Sequence, residues 1–221
     1  MANASTTGFG LRAVMTVGNT PATSGQSEYH IQTAPGVASN KGDPMSFNDG
    51  GATAGEAGMV QDASFTVTDD GGNGGTVWTT ANSALLLGVF NGAFFIDATG
   101  KPTFANNIVA GQTTSADYNT GSDDITAFII DNPNQEYVVK ADAALAQTLL
   151  GVNPMQGFNT NNYTATANLS GQSITTLDVG SAATTAMFTA VRSANDPENR
   201  DKTVAGSNWV VVAAPASALF N

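Results

Sequence analysis

The sequence predicts an all-β protein, mainly β with one short helix, folded as a barrel or a sandwich behind an extended N-terminal arm. About ten short apolar or alternating segments are separated by turn residues roughly every 8–12 positions, which is typical of β-sandwiches and barrels. Only one segment of the 221 residues has helical spacing. The chain has no cysteine, so burial and hydrogen bonding have to hold this fold together.

The strand predictions rest on two patterns. Glu28–Thr33 alternates Tyr29 and Ile31 with polar neighbours, as a half-buried strand does. Leu85–Phe90 is instead nearly continuous in apolar residues, which indicates a strand buried on both faces. Further strands are predicted at Leu11–Val17, Pro44–Phe47, Ser64–Thr68, Thr76–Thr79, Ala93–Ile96, Thr103–Phe104, Ile174–Val179, Met187–Arg192 and Trp209–Ala213.

Turn residues join these strands. Asp97–Pro102 predicts a turn between two strands, and Asp131-Asn132-Pro133-Asn134 predicts a hairpin between Ile125–Ile130 and Glu136–Lys140. The single predicted helix is Ala143–Leu150, where Asp142 can cap the start and Gly151 can end it.

The domain organisation follows from the apolar content. Residues 1–25 contain too few apolar side chains to fold alone, so we expect an arm that docks on a neighbouring subunit. Residues 26–221 form a single β-rich domain, within which residues 153–173 are Asn- and Thr-rich and predict an exposed loop insertion.

The amino-acid composition and the net charge argue against some classes of function. Only 11% of residues are charged, and 18 acidic against 7 basic residues give a net charge of -11. Nucleic-acid binding is not expected, because neutralising phosphates requires clustered lysine and arginine. No apolar run reaches the length of a membrane span, and the first residues lack the pattern of a secretory signal. We therefore expect no membrane partner and synthesis in a cytoplasm.

No catalytic, cofactor or metal site is predicted. The single histidine, His30, lies on the polar side of its strand with no nucleophile motif nearby. The acidic pairs Asp69-Asp70 and Asp123-Asp124 lack the spacing of a calcium loop, although the first is followed by glycines and Asn73. The Gly-rich residues 71–75 lack the Lys-Ser/Thr of a phosphate loop. We expect no enzymatic activity.

The aromatic residues fall into two groups, those predicted to lie in the core and those that could contact a ligand. Phenylalanine within apolar runs predicts core, whereas Trp78 and Trp209 are candidates for stacking on a sugar. The residues predicted to be buried in the central strands are Leu87, Val89, Phe94, Ile129 and Val139.

Five short motifs follow one another in a fixed order over about two-thirds of the chain. They are Gly8-Phe9, Lys41-Gly42-Asp43-Pro44, Leu87-Gly88-Val89-Phe90, Thr99-Gly100-Lys101-Pro102 and Asp131-Asn132-Pro133-Asn134. No single one is specific, but the ordered set resembles the capsid decoration (cement) proteins of tailed bacteriophages. After about Asn153 the chain departs from this pattern.

The resemblance implies a structural virion protein on the outer surface of the phage capsid. Its implied partners are the major capsid protein, neighbouring decoration subunits and other copies of itself in a homotrimer, with no cofactor. The implied role is to stabilise the mature head. Two alternatives stay open: a virion-surface carbohydrate-binding β domain and a tail component.

Overall fold

The computed structural model describes residues 8–16, 20–21, 25–31, 35, 38–47, 60–62, 86–115, 125–150, 157–161, 171–183, 188–195 and 209–213. Their strands are β1 Arg12–Thr16, β2 Thr20–Pro21, β3 Ser27–Ile31, β4 Ser39–Asn40, β5 Pro44–Phe47, β6 Val60–Asp62, β7 Leu86–Ile96, β8 Pro102–Ala105, β9 Asn107–Ile108, β10 Ile125–Ile130, β11 Gln135–Lys140, β12 Gly157–Asn161, β13 Thr176–Ala183, β14 Phe188–Ser193 and β15 Trp209–Ala213. The predicted all-β class is confirmed. The strands predicted at Ser64–Thr68 and Thr76–Thr79 lie outside the described residues.

The strands form two large antiparallel sheets and one small one. The first sheet has the order β13-β12-β14-β15-β11-β1-β2. The second has the order β3-β10-β7-β5-β6, with β8 paired to the second half of β7. A two-stranded sheet, β4-β9, completes the described part. Each pairing between these strands is antiparallel. Antiparallel neighbours do not need the helical crossover connections that parallel strands need.

Strand β7 contributes to two separate hydrophobic cores. Leu86 and Val89 pack with Val139, Val210 and Val212 of the first sheet. On the other face, β7 packs with β3, β5, β9 and β10 in a second core. Its members are Leu87, Phe90, Ala93 and Phe95 of β7 together with Ile31, Met45, Ile108, Ile125, Ala127 and Ile129. The continuous apolar run of the sequence is therefore explained by a strand that is buried on both sides, as predicted.

Gly88 is required where β7 lies against the end of its partner strand β10. A Cβ atom at this position would lie 2.3 Å from the carbonyl oxygen of Ile130 and 2.8 Å from Cγ2 of Ile129. Because real side chains do not approach backbone so closely, only glycine lets the two strands pair at this spacing. The Leu87-Gly88-Val89-Phe90 motif thus encodes a close backbone contact in the middle of the second sheet.

The predicted hairpin around Asp131–Asn134 is wrong in one respect. A turn does form, since Gln135 N–H donates to the Asn132 carbonyl at 3.0 Å and Asn134 N–H donates to the Asn132 side chain at 2.9 Å. However, β10 pairs within the second sheet and β11 pairs within the first. The turn is a corner between the two sheets, and the Tyr137 hydroxyl donates across it to the Ile130 carbonyl at 3.0 Å.

The predicted N-terminal arm is wrong for the part that the structure describes. Residues 12–16 form β1, which pairs with β11 of the same chain. Leu11 is buried in the first core, and Phe9 is buried against Trp209. The low apolar content of residues 1–25 misled the prediction, because a strand added to a sheet gains its stability from backbone pairing as well as from burial.

The predicted exposed loop at residues 153–173 is also wrong where it is described. Gly157–Asn161 forms β12, which lies between β13 and β14 in the first sheet. Gly171 and Ser173 are buried, and Ser173 N–H donates to the carbonyl of Lys41 at 2.9 Å. Asn- and Thr-rich composition does not prevent a segment from filling an interior position of a sheet.

The predicted helix at Ala143–Leu150 reduces to one 3-10 turn, Gln147–Leu149. Asp142 does not cap it: its N–H donates to the Leu177 carbonyl, and its carboxylate accepts from Val179 N–H, both at 3.0 Å. Strand β13 therefore holds the start of the segment in an extended form, and a helix of eight residues is too short to compete. Leu145 is still buried in the first core, as the apolar spacing requires. Among the described residues, no helix is both long and apolar enough to cross a membrane.

Candidate functional site

Three of the five sequence motifs meet at one place, which we call the junction: residues 8–11, Lys41–Pro44, Phe90 and residues 171–175. Leu11 N–H donates to the Gly42 carbonyl at 2.9 Å, and Gly42 N–H donates to the Phe90 carbonyl at 2.8 Å. Phe90 N–H in turn donates to the Asp43 carbonyl at 2.9 Å. Gly42 has φ +100°, a conformation that favours glycine. Three segments that are distant in sequence, around Leu11, Gly42 and Phe90, are thereby fixed to one another by backbone hydrogen bonds.

Asp43 is the polar centre of the junction. Its buried carboxylate accepts from Asn40 N–H at 2.7 Å and from the Thr175 hydroxyl at 3.2 Å. Burial nevertheless raises the pKa of Asp43 above its ordinary value, because loss of solvent disfavours the charged form more than the hydrogen bonds from Ser173, Asn40 and Thr175 favour it. The donors come from β4 and from residues 171–175, so this one carboxylate ties distant segments of the chain together.

A second region, the hairpin face, consists of Phe94, Phe104 and Phe128 on one side of the second sheet. Phe104 of β8 lies opposite Phe94 of β7, and their ring centroids are 4.7 Å apart. Phe94 lies opposite Thr126 of β10, two residues from Phe128 on the same face. Phe104 is 76% exposed, whereas Phe94 and Phe128 are half-buried. An aromatic pair at the tip of a hairpin is thus presented to solvent.

The structure corrects the predicted burial of Phe94. Leu87, Val89, Ile129 and Val139 are buried as predicted, but the buried neighbour in the second core is Phe95 rather than Phe94. The pairing of β7 with β10 shifts register near Phe128 and Ile129. Because side chains alternate along a strand, such a shift exchanges the faces of all residues beyond it. The sequence Ala93-Phe94-Phe95-Ile96 gives no sign of which phenylalanine points inward.

The third region is a groove on the outer face of the first sheet. Four residues in direct register cross it: Arg12 of β1, Val138 of β11, Val211 of β15 and Arg192 of β14. Three strand spacings of about 4.8 Å place the two arginine backbones roughly 14 Å apart. The groove has a volume of about 420 Å³, which lies in the range of small-molecule sites. Its other lining residues are Phe9, Ala13, Val14, Met15, Ala194, Asn195 and Trp209.

One end of the groove is aromatic. The rings of Phe9 and Trp209 meet edge to face with centroids 5.0 Å apart. The guanidinium carbon of Arg12 lies 4.3 Å from the Phe9 ring centroid, which is a cation–π contact. Trp209 is half-buried and lines the groove. Of the two tryptophans considered for sugar stacking, Trp209 is therefore in a groove, while Trp78 lies outside the described residues.

The two arginines of the groove differ in their partners. Both terminal nitrogens of Arg192 donate to the Glu136 carboxylate, one of them at 3.0 Å, and Nη2 also contacts Met15 Sδ at 3.1 Å. This pairing raises the pKa of Arg192 and occupies its donor edge. In the described part of the chain, Arg12 is in no ion pair, because the Arg192–Glu136 bridge is the single salt bridge there.

A third basic residue, Lys140, lies beside Trp209 on the same face. The two residues are direct register partners between β11 and β15, so their side chains share a face of the sheet. Lys140 is only 2% exposed, and burial lowers the pKa of its amine. Arg12, Lys140 and Arg192 are three of the seven basic residues in the whole chain. Sequence inspection missed this cluster, because the three are scattered singly and only the sheet register brings them together.

The residues weighed for catalysis are not brought together. His30 is exposed on β3, opposite Thr126, on the polar side that the alternation predicted. Residues Asp69, Asp70, Asp123, Asp124 and 71–75 lie outside the described residues. No group of three or more histidine, aspartate or glutamate side chains arranged for a metal occurs in the described ranges. The absence of enzymatic activity stays a prediction.

Comparison with known proteins adds no assignment. The chain matches no protein-family model, no curated protein and no solved structure. Its function has to be argued from the three regions described above.

Proposed function

We propose that this protein is a capsid decoration protein of a tailed bacteriophage, which binds the major capsid protein on the outside of the mature head and stabilises it. The observation that supports this most strongly is the hairpin face, where Phe104 is 76% exposed and packs against Phe94. A large aromatic side chain exposed beside a second ring offers an apolar anchor of the kind that dominates many protein interfaces. The ordered motifs that resemble the decoration proteins add to this, because three of them build one junction.

Charge supports an exterior position. A net charge of -11 disfavours contact with packaged DNA. It also limits non-specific association of the outer surface. With only 11% charged residues, attachment depends on apolar and backbone contacts more than on ion pairs. Occupancy on the shell is then expected to survive added salt that screens surface charges.

To stabilise the capsid shell, the protein has to bind one state of the shell more tightly than the other. A bound protein stabilises a state only by its differential affinity for that state. The decoration protein binds the expanded shell more tightly than the compact precursor, and many copies on a fixed lattice make modest contacts effective together. Because residues 8–16 belong to the first sheet, the bridging surface is formed by folded strands, with the homotrimer as the proposed unit.

The test uses mature particles that lack this protein, to which purified protein is added and bound copies are measured by gel densitometry. Phe104→Ala is expected to reduce occupancy at least tenfold, since an aromatic anchor at an interface contributes about 2 kcal/mol or more. Phe104→Leu restores part of the binding by keeping an apolar side chain. Lys101→Ala, an exposed change on the same hairpin, is the matched control and leaves occupancy unchanged.

Three results would count against the proposal. Equal occupancy of Phe104→Ala and the wild type would remove the hairpin face as the contact surface. Particles equally heat-stable with and without the protein would remove the cement role. Few copies confined to the tail, rather than many on the head, would favour the tail component.

A further inference from the structure

We propose that the groove on the first sheet binds an acidic sugar residue, with the carboxylate on Arg12 and the ring against Trp209. This site is separate from the hairpin face and adds a ligand to the proposed structural role. A decoration protein with such a site would hold carboxylated glycans at the surface of the particle.

Charge is the first argument. In a chain with net charge -11, two of the seven basic residues, Arg12 and Arg192, line this groove, and Glu136 pairs with Arg192. Glu136 occupies the donor edge of Arg192. Arg12 is instead held over the Phe9 ring at 4.3 Å, with its side chain exposed. A guanidinium fixed in this way offers a planar pair of donors that matches a carboxylate.

Shape is the second argument. The floor of the groove is formed by Val138 and Val211, and one end by Phe9 and Trp209. A sugar acid combines an apolar C–H face with a carboxylate on the same ring, which fits an aromatic wall beside a guanidinium. A volume of about 420 Å³ accommodates a small molecule of one or two rings.

The sheet itself argues against an acidic polypeptide. Strands β11 and β15, which form the floor, are paired on both edges, β11 with β1 and β15, and β15 with β11 and β14. A peptide therefore finds no open strand edge to which it could add by backbone hydrogen bonds. Recognition here has to rely on side chains, and the groove offers one guanidinium, aromatic rings and the side chain of Asn195.

The experiment measures binding by isothermal titration calorimetry with full-length protein and three sugars. The probes are a disaccharide ending in glucuronic acid, N-acetylneuraminic acid, and the first disaccharide with glucose in place of glucuronic acid. We expect at least one acidic probe to bind at least tenfold more tightly than the neutral one, since a charge-assisted pair is lost with the carboxylate. The two acidic probes distinguish a uronate from a sialate ligand.

Variants separate the site from general charge. Arg12→Ala is expected to lower the affinity for the acidic probe at least tenfold. Arg12→Lys is expected to recover only part of that affinity, because an ammonium group lacks the paired donors of a guanidinium. Trp209→Phe reduces binding of acidic and neutral probes alike. Lys101→Ala, which removes an exposed cation outside the groove, is the matched control and leaves affinity unchanged. An indole N–H signal absent from the Trp209→Phe spectrum reports directly on the groove in NMR titrations.

Each other outcome overturns the proposal. Equal affinity for acidic and neutral sugars, or equal affinity of the wild type and Arg12→Ala, would remove the carboxylate contact. No binding of either acidic probe at millimolar concentration would remove the sugar site. Arg12-dependent binding of a hexaglutamate peptide without sugar binding would assign the groove to an acidic polypeptide instead. None of these results bears on capsid occupancy, which depends on Phe104.

Discussion

The junction and the hairpin that carries the hairpin face both contain sequence motifs, but the junction buries its motif residues and the hairpin exposes them. At the junction, Gly42, Asp43 and Phe90 are buried and joined by backbone hydrogen bonds of 2.8 and 2.9 Å. At the hairpin face, the Thr99–Pro102 turn is exposed and leads to Phe104, which is also exposed. Both regions are attached to β7, which runs from one to the other.

The difference separates motifs that fix the fold from motifs that present a surface. Asp97 holds the hairpin turn by accepting from Thr99 N–H at 2.8 Å and from Lys101 N–H at 3.0 Å. Hydrogen bonds from Thr99 and Lys101 lower the pKa of Asp97, so this exposed carboxylate stays charged, whereas burial raises the pKa of Asp43. The hairpin turn is therefore held by a carboxylate that remains charged at its surface, and the junction by a carboxylate that burial makes easier to protonate.

The largest expected effect distinguishes two phenylalanines of the same strand. Phe90→Ala is expected to lower the free energy of unfolding by about 3–5 kcal/mol, because the side chain is fully buried in the second core. Phe94→Ala, the matched control, is expected to cost about 1 kcal/mol, since its half-buried ring loses less contact. Urea unfolding measures both. Equal losses would mean that β7 does not divide into a junction half and a surface half.

A smaller loss of stability is expected from a substitution at Gly88, where β7 and β10 lie close together. Gly88→Ala places a Cβ atom 2.3 Å from the Ile130 carbonyl oxygen, so β7 and β10 have to move apart. Such overpacking costs about 1–3 kcal/mol. Gly25→Ala is the control, because no atom lies within 4 Å of its Cβ position. If both variants have the same urea midpoint as the wild type, β7 and β10 are not held at this spacing.

The third prediction concerns the pH dependence of the junction. Since the pKa of Asp43 is raised above 3.8 by folding, the folded chain retains a proton that the unfolded chain has lost. Its contribution to stability is therefore greatest below pH 3.8 and declines as pH rises through the raised pKa, after which it is constant. Denaturation of the wild type and of Asp43→Asn over this range isolates the effect. A wild-type advantage that grows with pH would show a carboxylate stabilised by its donors instead.

The smallest effect is expected at the exposed aromatic. Phe104→Ala should change the free energy of unfolding by less than about 0.5 kcal/mol, as surface substitutions do. Thermal unfolding of the purified protein checks this apart from any capsid. A loss above about 2 kcal/mol would make Phe104 part of the fold and would deprive the hairpin face of its separate role.

The sequence by itself determined the class of the fold and most of its strands. Period-two alternation predicts β3 with His30 outward and Ile31 inward, and β15 has the predicted bounds Trp209–Ala213. The continuous apolar run before Phe90 predicts burial on both faces, which β7 has. These patterns succeed because alternation and turn chemistry depend on neighbours only a few residues away along the chain.

Tertiary structure decided which strands pair and hence which surfaces exist. Composition suggests an arm at residues 1–25, but the edge of β11 takes β1 as its partner. Helical spacing suggests a helix after Asp142, but β13 holds Asp142 by two hydrogen bonds. Phe94 faces outward and Phe95 inward because of a register shift, and Arg12, Lys140 and Arg192 share a face because of register. Pairing between distant strands sets these outcomes, and a one-residue change in register reverses them, so local sequence patterns carry no trace of them.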